Sequence, residues 1–518
     1  MKISIVGGGA TGISVLGYLA DAVASDRAGA AVDAIAIYDK CGFDGGLAYR
    51  TQNDRHLLNM KAGAMSAKAD DAKHFLRWLS TVGIACESND HVPRKLYKRY
   101  LDHLKQQAIN RCQEAGISVS VINDEVVHVR HLSDDELRLE TSGRLTLPSS
   151  VVVLCTGHSE PDDHYGLIGS KNYLHDPYGR TEFPDREDVE IGIIGAGLTA
   201  VDLVIALAGD LKRAKFCNLS RSGLFPKVQP VGVVKPDERF RAHVLAHIHS
   251  NTRVKAGCLV GEIQEHLLRF GGIAVDLSRR DIDADGLADL ARNVEEARAD
   301  RPNVYSYLCG ISDLMCDAWS KMDKVEKRRF LQVYYSGWMR NRHAMPLANA
   351  ERILEIARDH RLSTAARLRN VISVGERFRA LLADGKRRDL DHVIAATGTS
   401  YAVDGSPLYA DMSRQGLVTF NEFGGISCDY RNGRVINQQR QKCRNIYAIG
   451  SITRGTHFYA SAVDVNLSRA QAVVGSILRK AKPVYLPQVA ARARDVLDLT
   501  ALPVAVLAIP RLRQGSGR

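Results

Sequence analysis

Closely spaced cysteines are missing from this chain. Its ten cysteines, at positions 41, 86, 112, 155, 217, 258, 309, 316, 428 and 443, include no Cys-x-x-Cys pair. That excludes a disulfide reductase, whose electron relay needs two thiols within reach of each other. Cys-x-x-Cys-His is also absent, and no His or Cys cluster has metal-ligand spacing, so neither attached haem nor a bound metal is expected. No apolar run approaches the length that spans a bilayer. The first apolar stretch reads as a strand and a helix, not as a signal peptide with a charged start and a cleavage site, so the expected compartment is the cytoplasm. Most of the cysteines are then buried filler in a reducing environment. Gly-x-Ser-x-Gly does not occur, which leaves no local signature of acyl transfer. Aromatic residues make up only 6% of the chain. The net charge is +11, yet the cations lie in local pairs such as Arg279-Arg280, Arg328-Arg329 and Arg387-Arg388, with no aromatic-basic stripe. The pattern argues against nucleic acid and for attraction of anionic small molecules.

What the chain does have is glycine placed after strands. Lys2 to Val6 runs as a buried strand into Gly7-Gly8-Gly9-Ala10-Thr11-Gly12, and the apolar stretch Ile13 to Leu19 follows. In such a unit Gly7 permits the tight turn, Gly9 lets the backbone approach a pyrophosphate, and Gly12 lets helix and strand pack closely. The amides opening the next helix face the phosphates, where the macrodipole favours negative charge. A second strand, Ala34 to Tyr38, ends in Asp39, at the distance expected of a carboxylate that accepts ribose hydroxyls. A matching unit recurs at Ile191 to Ile194 with Gly195, Gly197 and Ala200. There the following strand, Lys215 to Leu219, leads into Ser220-Arg221-Ser222-Gly223, with no carboxylate. A cation flanked by hydroxyls suits a ribose 2′-phosphate and hence NADPH, the alternative being an arginine on a solvated turn. Asp39 would repel that phosphate and fits the adenosine ribose of FAD. Two cradles imply two cofactors, FAD and NADPH.

Val151 to Leu154 with Cys155-Thr156-Gly157, and His392 to Ala396 with Thr397-Gly398, are apolar strands ending in Thr-Gly. Such strands carry the chain between the nucleotide domains of flavoproteins. Asn445 to Ile449 is a third strand, ending in Gly450-Ser451, and is expected to return to the first domain and close over the flavin; the usual acidic residue is replaced by Ser451. The fold class is α/β, with two Rossmann-like dinucleotide-binding domains and a helical insertion. Residues 1–185 and 400–485 form the FAD domain, 186–231 and 364–399 the NADPH domain, and 232–363 a helical substrate cap. Residues 486–518 form an extension ending in a disordered tail.

Several runs, taken in order, carry a resemblance. They are Gly46-Leu47-Ala48-Tyr49, His56-Leu57-Leu58-Asn59-Met60-Lys61-Ala62, Met65-Ser66-Ala67, His74-Phe75-Leu76-Arg77-Trp78-Leu79, Val92-Pro93-Arg94 with Leu96-Tyr97, and Asn341-Arg342-His343-Ala344-Met345-Pro346. Over most of positions 1 to 470 the chain resembles the FAD-NAD(P)-binding protein family, which is similar to flavin-dependent N-hydroxylating and class B monooxygenases. Asp391 with Ala396-Thr397-Gly398 partly meets the N-hydroxylase pattern, with Thr399 where a tyrosine is usual. The stretch Ser451 to Asn466 also departs from the broader family.

The resemblance implies an NADPH-dependent FAD monooxygenase that uses molecular oxygen on a small polar metabolite. N-hydroxylation of an amino acid or amine is the leading reading. Hydroxylation of a nitrogen heterocycle, a flavin reductase or dehydrogenase with another acceptor, and a non-catalytic redox-sensing flavoprotein stand beside it. Asn59 and Lys61 lie on a loop that approaches the isoalloxazine in related flavoenzymes, so they are candidate partners of flavin or substrate. The alternative is a structural amide and a solvated lysine. Arg340, Arg342 and His343 end a helical aromatic stretch and are candidates for clamping a substrate carboxylate, or for bridging cap and nucleotide domain. No membrane or nucleic-acid partner is expected, and the oligomeric state is open.

Overall fold

The computed structural model describes residues 1–25, 32–133, 135–179, 182–232, 238–278 and 285–481. The expected extension over 486–518 and the pair Arg279-Arg280 lie outside the described residues.

Strand Lys2–Val6 is buried on both faces, as a central parallel strand requires. It lies between Ala34–Tyr38 and Val151–Leu154, both parallel to it. The six-stranded sheet runs in the order Arg434–Ile436, Lys442–Ala448, Val151–Leu154, Lys2–Val6, Ala34–Tyr38, Ser118–Ile122. The late strand thus does return to the first sheet, beside Val151–Leu154. Helices Ala10–Ala24, Arg94–Glu114 and Val463–Ala481 cover one face, packing Val15, Leu16, Leu19, Ile109, Val473 and Ile477 against it. A three-stranded antiparallel meander, Val126–Ser133, Glu136–Thr141 and Thr146–Ser149, covers the other face through Val129, Leu137 and Leu139.

The second sheet repeats this plan. Its five strands are parallel, in the order Leu362–Ala365, Lys215–Leu219, Glu190–Ile194, His392–Ala395, Tyr173–Leu174. Tyr173–Leu174 precedes position 186 yet forms an edge of this sheet, so the second unit draws on chain that the sequence assigns to the first. A second antiparallel meander, Leu368–Val374, Arg377–Leu382 and Arg387–Leu390, covers one face through Val371, Phe378 and Leu390.

The 232–363 segment does not form a single cap. Helices Gly286–Arg298 and Leu347–Arg358 pack on the second sheet beside Leu198–Asp210, through Leu290, Val294, Ile353 and Ile356. Helices Glu238–Ser250, Ala256–Gly271, Val304–Gly310, Ser312–Lys321 and Tyr335–Arg342 instead gather around Trp319, Phe330 and Trp338. Phe458, Tyr459 and Val465, from the chain after Gly450, complete that core. Burial at these positions, rather than chain order, sorts the helices between two cores.

Candidate active site and nucleotide cradles

The two glycine turns have the same geometry. Gly7 has φ +108° and Gly195 φ +126°, and at either one a Cβ would stand 2.2 Å from a carbonyl oxygen of the neighbouring strand, Cys155 or Ala396. Only glycine meets both demands. Two residues on, Gly9 and Gly197 sit just before helices Ala10–Ala24 and Leu198–Asp210, with ordinary negative φ and no side-chain cap on the first-turn amides. A Cβ at Gly9 or Gly197 would have nothing within 4 Å. Open space faces uncapped helix amides at both places, which is the arrangement a pyrophosphate fills. Gly12 packs its Cα against the Gly7 carbonyl, and Ala200 is fully buried in the corresponding place.

Asp39 accepts from the Gly8 amide at 2.8 Å and from the Cys41 and Phe43 amides at 2.8 and 3.1 Å. The carboxylate therefore holds the turn that forms the first cradle, and its two oxygens keep lone pairs for ribose hydroxyls. In the second unit Ser220 accepts from the Gly223 amide at 2.8 Å, which shapes the turn. Arg221 is exposed at its edge.

The three strand ends that sequence singles out meet on a residue that it does not. His158 places Nδ1 2.9 Å from Thr399 Oγ1 and Nε2 2.9 Å from Ser451 Oγ. Burial pushes this imidazole down to about 4, so it is neutral, with one ring nitrogen donating and the other accepting. Thr156-Gly157, Thr397-Gly398 and Gly450-Ser451 are thereby drawn together. The Thr156 hydroxyl pairs with Tyr409 OH at 2.7 Å, and Thr397 and Gly398 are exposed. Gly450 lies over Thr11 in the first cradle, where a Cβ would be 3.4 Å from the threonine hydroxyl.

Lys61 is not free to serve flavin or substrate. Its ammonium donates to the carbonyls of Pro230, Val231 and Gly232 at 3.1, 2.7 and 2.7 Å, which uses all three of its protons. Asn59 Oδ1 accepts from Arg94 at 3.2 Å, and its carbonyl accepts from Gln229 at 2.6 Å. Arg94, in turn, stands 2.6 Å from Asp202 Oδ2. The pair joins the helix Arg94–Glu114 of the first unit to the cradle helix of the second, in contact by charge without an aligned N–H.

The arginine pair divides. Arg340 is bound by Asp289 and donates to the Phe225 carbonyl at 3.1 Å, bridging helices to the second unit. Arg342 points elsewhere, with Nε 3.1 Å from Ser312 Oγ and its guanidinium 5.2 Å from the Tyr459 ring centre. Residues two apart on a helix face different sides, so the two cannot grip one carboxylate. His343 stays beside Arg342. Burial, then the charges of Arg342 and Arg454, hold it down to about 4.

His56 and His457 are also buried and held down to about 4, chiefly by desolvation. Their folded value lies below the unfolded value of about 6.5, so the unfolded chain takes up protons first. Stability is expected to be intact above about pH 6.5 and to fall towards about pH 4, by on the order of 3 kcal/mol for each imidazole. Denaturant midpoints across that window check this, and His457→Gln should flatten the slope.

Residues 4–159 match the FAD-NAD(P)-binding family. No curated protein matches the chain by sequence. Among solved structures, L-lysine 6-monooxygenase from Pseudomonas syringae is similar at TM-score 0.56 and 15% identity, over 92% of this chain and 99% of that one. Ornithine hydroxylase from Pseudomonas aeruginosa is similar at TM-score 0.52 and 16% identity, over 93% and 99%. The ornithine N-hydroxylase from Kutzneria sp. 744, described with reduced FAD, NADP⁺ and L-ornithine, gives TM-score 0.51 and 14% identity over the same shares. Residues 4–159 thus match the FAD-NAD(P)-binding family, and the whole chain has a fold similar to that of these lysine and ornithine hydroxylases.

Proposed function

We propose that this chain is an NADPH-dependent FAD monooxygenase that transfers oxygen to the amine nitrogen of a small polar metabolite. The observation that carries the reading is the pair of uncapped helix N-termini, each facing open space at Gly9 or Gly197, within one chain of that fold. When bound, NADPH supplies hydride and FAD supplies the activation of oxygen.

The protein's own part is binding, orientation and exclusion of water. In this reading the amides after Gly9 hold the FAD pyrophosphate and Asp39 takes the adenosine ribose. Those after Gly197 hold NADPH, with Ser220 and Arg221 at the 2′-phosphate. The neutral His158 fixes Ser451 and Thr399 beside the Thr-Gly ends. The aromatic core of Trp319, Phe330, Trp338 and Phe458 closes the helical side against water, which oxygen chemistry on a flavin requires.

Oxygen uptake coupled to NADPH loss, with a product heavier by one oxygen atom on nitrogen and little peroxide, is the expected result with the right amine. Rapid flavin reduction with slow reoxidation in air would instead mark a reductase. Arg221→Ala is expected to weaken NADPH by about 1.5 to 3 kcal/mol, the scale of a charge-assisted contact, while leaving NADH nearly unchanged. Steady-state KM values for the two nucleotides check this, and equal losses would remove the 2′-phosphate role.

A further inference from the structure

Arg454 is a buried cation with no carboxylate beside it among the described residues. It is 5% exposed, and its guanidinium stands 4.5 Å from the Phe458 ring centre, 5.3 Å from Tyr401, 5.5 Å from Tyr335 and 5.7 Å from Trp319. Nη1 donates to the Phe458 carbonyl at 2.6 Å. The rings and the carbonyl offset part of the desolvation, but a buried guanidinium ordinarily has an anion as well. Arg342, 7% exposed, is in the same condition, with a hydroxyl and one ring as its partners. Among the described residues neither arginine has an acidic group within ion-pair distance.

The two flank one aromatic cluster. Tyr335, which stacks on Arg454, lies seven residues before Arg342 on the helix Tyr335–Arg342, two turns along the same face. Phe458, against Arg454, adjoins Tyr459, against Arg342. Both positive charges also bear on His343, a half-buried ring with no hydrogen-bond partner among the described residues. Tyr401 links the cluster to the cofactor side, its ring 5.9 Å from that of His158. Among the described residues no nearby acid reaches either guanidinium directly. Glu422 is taken up by Lys324 and Arg328; Asp464, exposed at the start of the helix Val463–Ala481, acts on Arg342 through its charge from outside ion-pair distance and leaves the guanidinium without a direct acidic partner.

We propose that the substrate of this site is a net-anionic organic acid that also bears the amine, with its carboxylate or carboxylates received at the cluster that Arg342 and Arg454 flank, and that dibasic amino acids such as ornithine and lysine are turned away. Two cations and a neutral imidazole repel an extended diamine and attract an acid. This deepens the oxygen-transfer reading and rests on it only for the acid being a substrate rather than a bound ligand.

The test uses the FAD-loaded protein and needs no turnover. Acetate, succinate and L-glutamate are titrated at matched ionic strength against L-ornithine, L-lysine and putrescine. Melting temperature and the fluorescence of Trp319 and Trp338, which line this cluster, are the readouts. At least one acid is expected to bind, with the diamines far weaker. Arg454→Met and Arg342→Met should each reduce the affinity for that acid about tenfold or more, with Arg454→Lys keeping part of it. If Arg454→Met does not fold, Arg342→Met and the wild-type ranking decide. Failure of every acid to bind, equal binding of ornithine, or unchanged affinity in the folded variants would overturn the proposal. Acid binding without NADPH-driven oxygenation would leave it standing and remove the oxygen-transfer reading. Oxygenation of diamines in preference to acids would do the opposite.

Discussion

Gly9→Val is expected to give a folded, colourless protein. At Gly9 the backbone has an ordinary negative φ and a Cβ meets nothing within 4 Å, so the branched side chain has room in the empty turn and stability should change little. The same space is where the FAD pyrophosphate must approach the amides of the helix Ala10–Ala24. Blocking it removes two or more charge-assisted hydrogen bonds, a loss of about 3 kcal/mol or more, roughly a hundredfold in affinity. Gly7→Val and Gly12→Val serve as contrasts. At Gly7 the added Cβ meets the Cys155 carbonyl at 2.2 Å with φ +108°, and at Gly12 it meets the Gly7 carbonyl at 1.9 Å. Both should unfold the unit rather than empty it. Flavin content after gel filtration and apoprotein melting temperature separate the two outcomes; a yellow, fully loaded Gly9→Val protein would refute the cradle assignment.

Arg94→Met is expected to remove about 3 to 5 kcal/mol of stability, the cost of leaving a buried charge without its partner. Asp202 lies almost wholly buried, and burial pushes its carboxyl up to about 6 against the pull of Arg94. Without the guanidinium the carboxyl rises further and takes a proton near neutral pH, which limits the loss. Asp202→Leu added to Arg94→Met should recover most of it, since two apolar groups leave no charge stranded. Because the pair joins the two nucleotide units and Arg94 also holds Asn59 and the Leu57 carbonyl, the single variant should loosen the loop that carries Leu57 and Asn59. Denaturant unfolding of the single and double variants measures the effect. A single-variant loss under about 1 kcal/mol would show that the pair is not under strain of burial.

The cradles were legible because their logic is local: a buried strand, a glycine turn and an apolar helix lie within about twenty residues. The same holds for the late strand ending in Gly450. His158 was not legible, since its partners Thr399 and Ser451 lie 241 and 293 residues away. The carbonyl partners of Lys61 are hidden for the same reason, lying about 170 residues on. A spacing of two on a helix sets Arg340 and Arg342 on different sides, which favours the bridging reading of Arg340 that its contacts with Asp289 and the Phe225 carbonyl show. The meander strand Glu136–Thr141 also carries a local signal. Leu137, Leu139 and Thr141 are buried, with more exposed residues between them, the period-two pattern of a half-buried strand. Arg454 gave no sequence signal, since an arginine among aromatic residues reads as surface until its burial is known.

The most direct measurement is anaerobic addition of NADPH to the purified protein while its visible absorbance is followed. The protein is expected to be yellow, with stoichiometric FAD that NADPH bleaches, and Arg221→Ala to bleach only at higher NADPH. A preparation that takes up no flavin, or a flavin that NADPH cannot reduce, would contradict this expectation.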